Sequence, residues 1–492
     1  MAILEVGKNK TFGTVGAAVK ASKSGDEIRI YSGSYEDVFD CTKKLTFTGV
    51  PSDMNDFSTY PVIDGKKDGV SAVLKECKFS NIVFSADYTI NLEKLNHIDT
   101  EKKLRWWENQ DMSREINSSQ RASHNNPYCI GIESTCTFEK CAFVGAKKSA
   151  VAMGLMKENQ KVVFNKCLFY GNSGSGLFVN GKKESSRVIL DECVFNYGEF
   201  GIEIAGKISV SINKTCFSNF TEQAISVGDD SKLLMNESRI FDCGAGVVIM
   251  NQAQAIVADS KIISNKETGI MASDKSDSNI YGSEISKNKA YGIGLLDVAK
   301  ISVRESFIEY NNADGIQLCN NTKADISDTA IRDNVNGIRL NDISDAYVRK
   351  CEIANNKNCD FYQLENTSSF IEDSYFWNEA PGRFNDEEIL VSVILANEAT
   401  SIFQNCDFSA KQTKNVKLTM SADRSKVVYR NCNFHDAEDG IGIFDDSDCS
   451  VDGCKFENIS ELEIRMSGEK DSKLKVCDTE LDDKTMEQFR VA

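Results

Sequence analysis

Asp314, in the stretch Asn312-Ala313-Asp314-Gly315-Ile316, has the side chain that a general acid or base needs. One carboxylate moves a proton; cleavage of a sugar polymer needs a second group on the same face. Arg339 and Glu203 are the further candidates for such a set, and Gln317 is a candidate for ligand contact. Trp106 and Trp107, beside Arg105, have the flat surfaces that stack on a sugar ring or grip a protein partner. Asp445, Asp446 and Asp448, in Phe-Asp-Asp-Ser-Asp-Cys, are hard oxygen donors of the kind calcium takes. Each has a plainer reading. An acidic turn is usually only solvated, a Trp in a polar stretch usually packs that stretch down, and an Asp before a recurrent Gly-Ile is an ordinary rung of a repeat.

Composition excludes several partners. Across 492 residues, 57 Lys+Arg stand against 74 Asp+Glu, a net charge of −17. That balance repels nucleic acid and anionic membrane, and no Lys/Arg run offsets it. No stretch approaches the roughly 20 apolar residues that span a bilayer, and the start has no basic segment followed by an apolar core. Seventeen Cys occur without a C-x-x-C pair or a His at zinc-finger spacing, which points to a reducing, cytoplasmic setting. No cofactor is called for, with calcium as the one alternative.

Whatever chemistry is present must be positioned by a repeat. A small residue followed two places later by Phe or Ile recurs at Cys141/Phe143, Cys167/Phe169, Cys193/Phe195, Thr215/Phe217 and Ser238/Ile240. It continues through Cys351/Ile353 to Cys454/Phe456, and Cys77/Phe79 and Thr479/Leu481 extend it. The seven steps from Phe195 to Ile353 average about 23 residues. Each repeat has an alternating strand before the anchor, an Asn three places after it, then Gly and an apolar residue opening a second strand. Period-two alternation in so short a unit leaves no room for a helix of three turns. The apolar positions are Ile, Val and Phe rather than the Leu of a leucine-rich repeat, which selects the parallel β-helix.

The pattern resembles the right-handed parallel β-helix superfamily typified by pectin lyase. The opening block, from Thr11 to Val50, is similar to that superfamily's capping segment: a short amphipathic helix around Val15, Ala18 and Val19, a Gly25-Asp26 turn and a strand ending at Gly33-Ser34-Tyr35-Glu36. The resemblance implies an all-β, right-handed parallel β-helix solenoid of about 16–18 coils with a short N-terminal capping helix. It divides as residues 1–85 (cap and first coils), 86–127 (an insertion loop) and 128–492 (regular coils and C-terminal cap), one continuous domain. Polygalacturonase-like members carry Asn-Thr-Asp before Gly-Ile-Asp, to which the Asp314 stretch is similar. This sequence lacks their adjacent Asp-Asp, Gly-His-Gly and Arg-Ile-Lys. Lyases of the superfamily use a calcium-binding carboxylate cluster and an Arg or Lys base, the roles this resemblance lends to Asp445, Asp446 and Asp448 and to Arg339.

Alternation places Phe178, Glu203, Ser226, Val248, Met271, Gly294, Gln317 and Arg339 in one outward row on successive coils. Val248, Met271 and Gly294 interrupt its polar members, which suits a face covered by a loop or partner. The expectation is therefore a rigid recognition or assembly scaffold that binds a protein or glycan partner through this face and the 86–127 insertion. A polysaccharide lyase or hydrolase using the same face is the alternative, and self-association stays open.

Overall fold

The structure is a computed structural model and describes residues 1–65, 70–86, 128–378, 390–411, 416–466 and 472–491. The chain divides into two compact units, Met1–Ala255 and Ile256–Ala492. Each is a right-handed parallel β-helix, with about 18 turns in all among the described residues. The all-β solenoid expected from the repeat is the fold the chain adopts. Helix is confined, among the described residues, to Val15–Ala21 near the N-terminus, Asp483–Val491 near the C-terminus and a single 3-10 turn. Thr14 starts the first helix by accepting a hydrogen bond from the Ala17 amide, and Val15, Ala18 and Val19 are its buried face. No helix among the described residues is long and apolar enough to cross a membrane.

One coil illustrates the rest. Lys323–Ser327 pairs in parallel with Lys300–Arg304 on one side and Asp345–Arg349 on the other. The chain then turns at Asp328 and adds Ala330–Arg332 and Asn336–Leu340 to a second sheet. Asp328 makes that corner with φ 51°, and Lys140, Lys166, Glu192, Lys214, Glu237, Glu305, Lys350 and Asp373 make equivalent corners at φ between 45° and 52°. The small residue that follows each corner has a use beyond its size. The Ser283 hydroxyl donates to the Tyr281 carbonyl at 2.8 Å and accepts from the Ser260 amide of the coil before at 3.2 Å. Thr215 does the same between Asn213 and Cys193. A Cys in this slot keeps the contact to its own coil in weaker form, as at Cys167 with Asn165.

In-register stacking builds both cores. In the N-terminal unit, Phe47, Phe79, Phe138 and Phe164 stack at ring separations of 4.5, 5.0 and 4.9 Å. Phe84, Phe143, Phe169, Phe195 and Phe217 form a second column, and the two meet edge to face, as at Phe138–Phe143. Each such contact adds about 1 kcal/mol beyond burial. This corrects the repeat alignment: Phe79 belongs to the first column, and the coil's member of the anchor column is Phe84, paired with Phe143. Thr479 does occupy the slot after a corner, accepting from the Cys454 amide.

Asparagines join successive coils of the C-terminal unit. The Asn265 side-chain amide donates to Asn288, Asn288 to Asn311, Asn311 to Asn334 and Asn334 to Asn356, at 2.9 to 3.2 Å. Asn356 donates to the buried carboxyl of Asp360, which also accepts from Ser392 and Asn378. Burial pushes that carboxyl up to about 7 against these donors. Glycine recurs beside the ladder for lack of space. A Cβ at Gly315 would lie 2.7 Å from the Gly337 carbonyl oxygen and 2.8 Å from the Asn334 side chain.

Candidate functional site

Because Gly315-Ile316 is fixed by that crowding, the residue before it falls at a set place on every coil. Asp314 is there, 3% exposed, with Oδ1 accepting from Asn336 Nδ2 at 2.6 Å. Its Oδ2 is buried without a hydrogen-bond partner. Burial raises the Asp314 carboxyl above the ordinary carboxylate range, against the pull of the Asn336 hydrogen bond and the Arg339 charge. Next to Asn336, on the following coil, lies Cys359.

Outward from this buried row runs Gln317–Arg339–Tyr362, three strand partners in register. The Arg339 guanidinium lies 5.3 Å from the Tyr362 ring centre, and its Nε donates to Asn341 at 3.3 Å. Its two terminal nitrogens have no hydrogen bond or ion pair among the described residues. Tyr362 and Met420 cover the buried cluster of Cys359, Val391 and Ile394 beneath it. Asp314, Arg339 and Gln317 are thus gathered on two neighbouring coils.

The same motif occurs again in this unit, where sequence reasoning missed it. Asp439-Gly440-Ile441 repeats Asp314-Gly315-Ile316, and Arg465, like Arg339, comes from the next coil, as the register partner of Gly442. Here the arrangement is closed. Arg465 grips the fully buried Asp439 through Nε at 2.7 Å and a terminal nitrogen at 2.9 Å, and Lys417 approaches to 3.2 Å. Burial pushes the Asp439 carboxyl up, but Arg465 and Lys417 outweigh it and hold the group below the usual range. Comparing every Asp-Gly-Ile in the sequence would have found the pair.

Glu203 is in the N-terminal unit, half-buried, with Ser175 donating to its carboxylate. Its row is Phe178–Glu203–Ser226–Val248, as alternation predicts. Trp106, Trp107, Arg105 and nearly all of the 86–127 insertion lie outside the described residues. Asp445 and Asp446 are turn residues with φ of 50° and 60°, Asp448 starts a strand 3.8 Å from Lys473, and no group of three His, Cys, Asp or Glu among the described residues could hold a metal. His435 lies on a strand between Asp436 at 2.8 Å and Asp407 at 2.9 Å. Burial lowers its pKa, and the two carboxylates more than reverse this and raise it.

A family model described as "Right handed beta helix region" matches residues 109–283, 251–386 and 389–483. No curated protein matches the chain. Solved structures similar to it include the Vag8-C1 inhibitor complex, at 10% identity over 72% of this chain and 96% of that one with a TM-score of 0.49. Pectate lyase Pel9A matches at 13% identity over 62% and 78%, TM-score 0.33. The periplasmic alginate epimerase AlgG matches at 10% over 90% and 84%, also 0.33. These are likenesses of fold alone.

Proposed function

The chain belongs to the right-handed β-helix family, and from that premise we propose that it is a recognition scaffold. Its partner, an extended glycan or protein segment, lies along Gln317, Arg339 and Tyr362 and brings an anionic group to Arg339. One observation carries this reading: Arg339 sits above Tyr362 with both terminal nitrogens uncommitted, whereas Arg465, in the equivalent place beside Asp439, is used up inside the protein. A guanidinium binds carboxylate in paired hydrogen bonds, and an adjacent ring adds stacking surface. We further propose that the N-terminal helix caps the first coil and that the protein works in the cytoplasm.

A glycan-cleaving enzyme is the second reading, favoured by the unpartnered Oδ2 of Asp314 and its raised pKa. Titration with a labelled oligouronate and a labelled acidic peptide separates them. Arg339→Ala is expected to weaken whichever probe binds by about tenfold, while Asp314→Asn changes affinity less than about twofold. Failure of both probes to bind removes the scaffold reading at this face. Turnover of the oligouronate that disappears in Asp314→Asn replaces it with the enzyme.

A further inference from the structure

Cys41 and Cys77 are buried on neighbouring turns of the N-terminal unit, with their sulfurs 3.0 Å apart. Both thiols also reach the Lys43 carbonyl, at 3.2 and 3.4 Å, so one backbone oxygen holds them side by side. Lys43 in turn donates from Nζ to the carbonyls of Val19, Lys20 and Ser22 at the end of the N-terminal helix. A third thiol, Cys136, is the strand partner of Cys77 on the other side. The close sulfur contact, however, is with Cys41.

We propose that Cys41 and Cys77 are a disulfide-forming pair, a redox latch that ties the turn beside the N-terminal helix to the turn that follows. The sulfurs need to approach by only about 1 Å to reach bonding distance. Hydrogen bonding from Cys77 holds the Cys41 thiol below its ordinary pKa with help from Lys43, and Cys77 is pushed up, which makes Cys41 the attacking sulfur. With a small-molecule disulfide such as oxidised glutathione, the Cys41 thiolate forms a mixed disulfide and releases one glutathione thiolate. Cys77 then gives its proton to water and attacks the Cys41 sulfur, expelling the second glutathione. The protein loses two electrons and two protons, and the glutathione disulfide becomes two thiols. Burial of both sulfurs means that the exchange follows local opening of the coil.

The test uses the full chain, incubated with oxidised glutathione, alkylated after denaturation, digested and mapped by mass spectrometry without reduction. A peptide pair linked through Cys41 and Cys77 is expected as the main cross-link, with an unfolding midpoint about 5 °C above that of the reduced protein. Cys77→Ser should abolish that redox-dependent shift and Cys136→Ser should keep it. Recovery of Cys41 and Cys77 unlinked, or of Cys77 joined to Cys136, overturns the proposal. If Cys77→Ser fails to fold, the map of the unaltered chain decides alone.

Discussion

Asp314 and Asp439 show how one motif is put to two uses at the residue scale. Where Arg465 closes on Asp439, charge is satisfied internally; where Arg339 turns to Tyr362, Asp314 is left half-satisfied and a cation faces outward. His435 offers a pH test of the same kind of balance. Its folded-state pKa is raised, so its share of stability is present below the unfolded value near 6.5 and disappears as pH rises through the folded one. The ring is partly exposed, which limits that share to less than about 1 kcal/mol. Urea unfolding at pH 5.5 and 8.5 should show a loss that His435→Gln removes; an equal loss in the variant would assign it to other groups. Asp314 could be picked out from Asp-Gly-Ile. His435 could not, because Asp407 comes from a different coil, 28 residues away in sequence.

Coils hold together through ladders, and the asparagine ladder makes the clearest element-scale prediction. Asn311 accepts from the Asn288 amide and side chain and donates to Asn334 and Ile285. Asn311→Ala leaves these partners buried and unpaired, and should cost about 3 kcal/mol in chemical denaturation. A loss below about 1 kcal/mol would mean that water replaces the side chain. The ladder, the anchor column and the Gly-Ile step were all legible as periodicity. The misplacement of Phe79 has a physical cause: strands of both sheets bury aromatic residues two places after a small one, so Cys77-x-Phe79 imitates an anchor while stacking on Phe47 and Phe138. The hydroxyl relay was hidden because Ser, Thr and Cys suggest equal size before they suggest a shared hydrogen bond.

For the molecule as a whole, a net charge of −17 works against the local attraction of Arg339 for an anion. Association with an oligouronate should therefore quicken as salt rises from about 10 to 100 mM, since screening removes long-range repulsion before it reaches a contact pair. Stopped-flow rates that fall steadily over that range would indicate a basic attraction stronger than Arg339 supplies. The corner residues extend the theme of charge. Lys166 lies 3.6 Å from Glu192 and Lys214 lies 3.9 Å from Glu237, each pair outward on neighbouring coils, and every one of these side chains holds a left-handed backbone that costs about 1 kcal/mol outside glycine. Glycine at all of them would make a more heat-tolerant protein whose flank, stripped of alternating ions, clumps more readily. The corners thus carry paired ions on the flank at the expense of backbone strain that glycine would relieve.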